Sequence, residues 1–205
     1  MIEYVSVDEQ VDKDFHRAFW RASLRRLRNR VLRRSARDHV LSFEEARSVL
    51  TRWSQAHRGM RTVEVEKIVG SVGRCHDFDG SFLPRKQSMN ARWGRVDSAY
   101  HQGIELPAVS LYKIGDAYFV RDGNHRVSVA RYHNVAAIDA EIRLLVGHGT
   151  RGRRVPAAPG QAAAWREQAD VRRAGRPLRG DLTPRKTPGS GYRARGPCYR
   201  PWWRP

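Results

Sequence analysis

The chain has 205 residues, room for one folded domain of ordinary size plus an appendage, and 40% apolar residues are enough for a core. Lys and Arg outnumber Asp and Glu by 39 to 21, a formal net charge of +18 that favours association with polyanions. Two distant cysteines, Cys75 and Cys198, argue against a disulfide framework. The acidic start, MIEYVSVDEQ, lacks the basic flank and apolar run of a signal peptide, and no stretch approaches a membrane span. A cytoplasmic protein with no membrane partner is expected.

The charge is uneven: −3 over residues 1–10, +9 over 11–61, +1 over 62–150 and +11 over 151–205. The spacing predicts a helix over 12–37, with Trp20, Leu24, Leu27 and Val31 as its core stripe and Phe15 and Phe19 a turn earlier. Arg17, Arg21, Arg25 and Arg28 lie on another face, either simply solvated or laid on phosphates. Ser42-Phe43-Glu44-Glu45 has the form of a capping box, and Phe43, Ala46, Val49, Leu50 and Trp53 follow at core spacing, so a second helix should pair with the first. Residues 1–61 thus read as a helical amino-terminal extension.

Residues 63–69 alternate as a half-buried strand and run into Gly70-Ser71-Val72-Gly73-Arg74, a flexible turn with one cation. After a long connection, a helix over about 92–102 stops at Gly103. Two strands, 108–114 and 117–120, are joined by Gly115-Asp116 as a tight hairpin. A short helix over 124–133 and a strand over 137–145 complete a domain spanning 62–150. Residues 151–205 hold eight of the ten prolines and fourteen Lys or Arg against three acids, the composition of a disordered basic tail, with a helical tendency over 161–171.

The second hairpin strand leads straight into Asp122-Gly123-Asn124-His125-Arg126. A strand that ends in Gly and turns at once into a helix presents unpaired backbone amides at the helix's positive end, where phosphate is stabilised. Gly123 permits close approach, and His125 and Arg126 bring side-chain donors; the competing reading is an ordinary Asp-Gly turn with Asn124 as cap. Asp122 can accept a proton or hold Mg2+, and His125 can act as acid, base or phosphate donor.

Ile68-Val69-Gly70-Ser71-Val72-Gly73-Arg74, Leu106-Pro107 and Tyr118-Phe119-Val120-Arg121-Asp122-Gly123-Asn124-His125-Arg126 together resemble the ParB/sulfiredoxin-like superfamily over about residues 62–146. The likeness is closest to bacterial ParB-like proteins whose helix opens with Asp-Gly-(Asn or His)-His-Arg. It implies an α+β fold with a small mixed sheet and packed helices, and a site for a nucleoside triphosphate, CTP or ATP, with Mg2+. Gly123, Asn124, His125 and Arg126 would be nucleotide- or phosphate-binding, with Ser71 and Arg74 on the neighbouring loop. Asn124 replaces the reactive cysteine of sulfiredoxins, which excludes that repair chemistry unless Cys75 takes the cysteine's place. Asn124-His125 replace the Glu-Arg of ParB partition proteins, and no helix-turn-helix pattern follows residue 150.

The expected function is therefore nucleotide binding with non-specific affinity for DNA or RNA through the basic flanks. The alternative is a phosphotransferase or nuclease with Asp122 and His125 as catalytic residues. Cys75-His76-Asp77-Phe78-Asp79-Gly80 lacks a second ligand cluster and reads as a polar loop, and the remaining histidines are scattered singly, so no metal site is expected. The tail alternates cations with rings, as in Trp202-Trp203-Arg204, a pattern that stacks on single-stranded bases or merely reflects G- and C-rich codons.

Overall fold

The computed structural model describes residues 6–32, 39–48, 50 and 52–147; the tail over 151–205 and its helical tendency lie outside them. Within the described residues the protein is mixed α+β. A six-stranded mixed sheet has the order β1-β3-β5-β4-β6-β2: β1 Leu41–Ser42, β2 Trp53–Glu64, β3 Ile68–Ser71, β4 Val109–Ile114, β5 Ala117–Asp122 and β6 Ala137–Gly147. The helices are α1 Val7–Val31, α2 Phe43–Arg47, α3 Asn90–His101 and α4 Asn124–Tyr132. None is long and apolar enough to cross a membrane.

Period-two alternation gives the sheet two apolar faces. On β5, Val120 joins a cluster with Phe15, Ile68, Trp93, Leu111 and Val127, whereas Ala117 and Phe119 join Leu41, Phe43, Ala46 and Val69 in a second one. The first cluster lies under α1, α3 and α4. Here the Phe15 and Trp93 rings meet edge to face at 5.7 Å, and Trp93 Nε1 donates to the buried Ser128 Oγ at 3.0 Å. Phe43 of α2 covers the second cluster, stacking on Tyr112 at 4.8 Å.

Helix α1 starts earlier than its spacing predicts, because the Ser6 hydroxyl accepts from the Glu9 amide at 3.3 Å and Asp8 and Glu9 occupy the positive first turn. Its buried stripe is also a different one. Val11, Phe15, Ala18 and Ala22 face the core, while Trp20, Leu24, Leu27 and Val31 are 59–73% exposed. The two stripes share one spacing and, being nine residues out of step, lie on opposite sides of the helix at about 100° per residue. The sequence favours the bulkier stripe, but small Ala18 and Ala22 let α1 approach α3.

Further corrections concern residues 39–71. The predicted helix after Ser42 ends at Arg47, and the Ser42 hydroxyl makes no capping bond, since Ser42 belongs to β1 and is paired in parallel with Ser71. Helix α2 covers the opposite sheet face from α1 rather than pairing with it. Residues 53–61, expected in the helical extension, form most of β2, which pairs antiparallel with β6 from Trp53↔Gly147 to Glu64↔Ala137, with a bulge between His57 and Gly59. As an edge strand with one neighbour, β2 carries Arg58 and Arg61 and lacks alternation, so its sequence does not look like a strand. The single strand expected over 63–69 breaks into β2, a 3-10 turn Val65–Lys67 and β3. Three strands separate β2 from β3, so the chain has to leave the sheet there.

From α3 onward the expectations hold. Helix α3 is closed by Gly103 at φ +66°, whose amide bonds Tyr100 O while that of Ile104 bonds Ala99 O. The Gly115-Asp116 hairpin, α4 and β6 stand within about two residues of their expected bounds. The connection over 75–86 is not a polar loop, because Cys75, Phe78, Asp79, Phe82 and Leu83 are buried in it. Asp79 organises the turn, accepting the Ser81 and Leu83 amides through Oδ1 at 2.9 and 2.8 Å.

Candidate anion-binding site

Strands β3 and β5 are adjacent and parallel, with Ser71 opposite Val120, so the loops that leave their carboxyl ends emerge side by side. The two ends are joined by one buried bond, Ser71 Oγ donating to Asn124 Oδ1 at 2.7 Å. Ser71 and Asn124 therefore spend their side chains on each other. Gly123 is the amino-terminal cap of α4 at φ +94°, and with no side chain it leaves the first amides of the helix uncapped; the first intrahelical bond runs from Val127 N to Gly123 O.

Arg126 does not turn its guanidinium to the space above the turn. Nη1 donates to the carbonyls of Pro107 and Ala108, and Nη2 pairs with Asp122 at 2.7 Å. It ties the turn to the segment that enters β4, a clamp where the sequence suggests a phosphate ligand. The Asp122 carboxylate is 76% exposed with Arg126 as its partner, whereas His125 points inward.

The cation beside His125 is Arg74, from the β3 loop. Arg74 Nη1 lies 3.3 Å from His125 Nε2. A guanidinium only donates, so Nε2 accepts and the ring proton resides on Nδ1. Nδ1 is buried without a hydrogen-bond partner among the described residues. Burial and the charges of Arg74 and Arg92 depress the His125 pKa to about 4, against a weaker opposing pull from Asp77, which keeps the ring neutral near pH 7. Asp77 is fully engaged, Oδ2 with Arg74 Nε at 2.8 Å and Oδ1 with Lys86 Nζ at 2.5 Å. Burial raises its pKa, but the hydrogen bonds from Lys86 and Arg74 outweigh that and hold it below the carboxylate range. Asp77 thus pairs with both Arg74 and Lys86, while Arg74 and Arg92 place positive charge beside His125 at the start of α4.

Comparison with family models, curated proteins and solved structures gives no match. The functional reading therefore rests on the geometry.

Of the expected site residues, the fold brings Ser71, Arg74, Gly123, Asn124 and His125 together at one strand end; Asp122 and Arg126 pair with each other beside them. Lys86 and Arg92, which the sequence does not single out, adjoin the site from the connection over 75–86 and from α3, and Asp77, which by its place in a loop reads as a solvated acid, is engaged there by Arg74 and Lys86. A cleft of about 530 Å³ elsewhere is lined by Arg21, Arg25, Glu64, Glu66 and Arg131. Of its cations, Arg131 bonds the Glu66 and Ile68 carbonyls, Arg25 lies 3.5 Å from Asp79, and Arg21 lies over the Tyr132 ring.

The histidines are not all scattered singly. His101 and His133 meet Asp14 and Asp97, with one ligand-type atom from each of the four within 4.8 Å of the others. The i, i+4 pair Asp97 and His101 is visible in the sequence of α3, but Asp14 and His133 join it only through packing.

Proposed function

We propose that the carboxyl ends of β3 and β5 bind a nucleotide through its phosphates, in a domain of the ParB/sulfiredoxin-like kind. The observation that carries this reading is the buried His125 Nδ1–H, a donor with no acceptor among the described residues, set in the field of Arg74 and Arg92 beside uncapped helix amides. A buried donor without a partner costs about 1–3 kcal/mol, and an anionic oxygen would remove that cost. Arg74, His125 and the first amides of α4 hold the phosphates; Ser71 with Asn124, and Arg126 with Asp122, fix the two loops. Exposed Asp122 is the residue suited to a Mg2+ that arrives with CTP or ATP. The basic surface adds sequence-independent affinity for nucleic acid.

A binding module is favoured over a phosphotransferase or nuclease because Asp122 is ion-paired to a clamp and His125 is held neutral between cations. Calorimetric titration with CTP, ATP and ADP, with and without Mg2+, tests the reading. Binding of at least one of them, weakened tenfold or more in Arg74→Ala, is expected. An absence of heat with all three overturns it, and Mg2+-dependent turnover lost in Asp122→Ala would establish the enzymatic alternative.

A further inference from the structure

The cluster of Asp14, Asp97, His101 and His133 lies at the other end of α4 from the anion site, about 13 Å away for a nine-residue helix. Asp14 comes from α1, Asp97 and His101 from one face of α3, and His133 caps the carboxyl end of α4. Both aspartates are buried, and both histidines direct Nε2 inward. His101 Nε2 is 3.0 Å from Asp14 Oδ2 and 3.5 Å from Asp97 Oδ2; His133 Nε2 is 2.7 Å from Asp97 Oδ1.

Two buried carboxylates bring two negative charges into a place where an uncompensated charge is costly. Arg17 Nη1 approaches Asp14 Oδ1 at 3.6 Å from an exposed position, while among the described residues Asp97 has only the two histidines beside it as ion-pair partners. A divalent cation held by all four groups would supply the positive charge at the centre of the cluster. Two further observations favour the cation. Asp97 is completely buried, yet among the described residues its Oδ2 accepts no hydrogen bond although it points into the cluster. The spacing is that of a small ion's ligands: bonds of about 2.0–2.1 Å put tetrahedral ligand atoms about 3.3 Å apart, the three contacts above run from 2.7 to 3.5 Å, and one ligand atom from each of the four groups lies within 4.8 Å of the others.

We infer that Asp14, Asp97, His101 and His133 form a closed four-ligand site for a divalent transition cation of the zinc class, which pins α1 to α3 and to the end of α4. The site's chemistry selects that class. Two imidazoles with two carboxylates suit zinc and its neighbours, whereas Mg2+ and Ca2+ prefer oxygen alone. Four protein ligands leave no open position, which makes the ion structural. An outer shell is in place: Tyr132 Oη donates to Asp14 Oδ1 at 2.8 Å, Gln10 Nε2 donates to Asp14 Oδ2 at 3.0 Å, and the Tyr100 ring stacks on His133 at 4.1 Å. This site is independent of the nucleotide reading, and either can fail alone.

Elemental analysis of the untagged full-length chain, followed by chelation and titration with Co2+ and Zn2+, tests the proposal. About one metal ion per chain is expected, with a visible Co2+ absorption of tetrahedral intensity that Zn2+ displaces and a melting temperature that falls on chelation and returns with Zn2+. His133→Ala should abolish the Co2+ spectrum. Tyr132→Phe, which keeps all four ligands and is the safer variant for folding, should weaken Co2+ binding about 10–100-fold. A folded wild-type chain that yields no Co2+ spectrum and whose melting temperature does not respond to Zn2+ overturns the site and leaves an aspartate–histidine ion-pair cluster. Undiminished Co2+ binding in His133→Ala overturns it equally.

Discussion

Ser71 and Asn124 join the carboxyl ends of two parallel strands through one buried hydrogen bond of 2.7 Å. Both side chains are buried, and removing the donor takes from the Asn124 carbonyl oxygen the hydrogen bond that satisfies it. Ser71→Ala should therefore cost about 1–3 kcal/mol in urea unfolding, more than the removal of an exposed hydroxyl. The same substitution loosens the two loops and should weaken nucleotide binding. A wild-type midpoint in Ser71→Ala would show that the bond holds nothing together.

Arg74 and Arg126 separate binding from stability. Arg74 is partly exposed, and Asp77, its ion-pair partner, keeps Lys86 when it is lost. Arg74→Ala should thus cost under about 1 kcal/mol of stability while reducing affinity tenfold or more. Arg126 holds two main-chain carbonyls and Asp122 from a mostly buried position. Arg126→Ala should cost about 2–3 kcal/mol, and Arg126→Lys should not restore it, since an ammonium cannot reproduce the planar fork. Paired denaturation and calorimetry of the variants decides whether the roles are assigned correctly; equal stability losses in the two would reverse the argument.

The depressed pKa of His125 makes a signed pH prediction. Unfolded, the ring titrates near 6.5; folded, near 4. Between those values the unfolded chain binds the extra proton, so the contribution is fully present above pH 6.5 and is lost as pH falls toward 4. Its slope reaches at most about 1.4 kcal/mol per pH unit. His125→Gln should flatten that limb of the stability profile. A bound phosphate would raise the pKa, so nucleotide affinity should strengthen on acidification within the same window. Proton NMR titration of the ring, with and without nucleotide, measures both; a free-state value near 6.5 would refute the buried, cation-flanked environment.

Sequence alone makes the second half of the fold legible because local signals and tertiary structure agree there. Gly103, Gly115-Asp116 and Asp122-Gly123 mark boundaries by backbone geometry, which depends little on distant partners. The first half misleads for tertiary reasons. Strand β2 carries an edge pattern that looks like no strand, and α1 offers two apolar stripes of identical spacing, between which only α3 decides. The site divides in the same way: the Gly123 turn is evident locally, but of the two expected phosphate cations Arg126 is taken up by the turn's own carbonyls and Asp122 and Arg74 is the one beside His125, because which cation reaches a histidine depends on a loop about 50 residues away.

The choice between the α1 stripes is itself measurable. Phe15 is fully buried against Trp93, and Phe15→Ala should cost about 3–5 kcal/mol. Leu24, on the opposite face and 61% exposed, should change stability by no more than about 0.5 kcal/mol when replaced by Ala. A large loss at Leu24 would mean that its stripe is covered in solution.

Gly123→Ala probes the turn on which the binding reading depends. At φ +94° a Cβ is disfavoured by the backbone itself, and the added atom would stand 2.7 Å from Val109 Cγ1 and about as close to the Arg126 guanidinium, 3.0 Å from Nε. Val109 is buried in the sheet and cannot retreat freely, and Arg126 is fixed by the Pro107 and Ala108 carbonyls. The strain has to be relieved by moving the turn, which shifts the α4 amides relative to Arg74. The substitution should therefore cost more than about 2 kcal/mol and remove nucleotide binding even under conditions where the chain stays folded. If Gly123→Ala folds normally and binds like wild type, the first turn of α4 has no part in holding the ligand, and Arg74 with His125 would have to hold it alone.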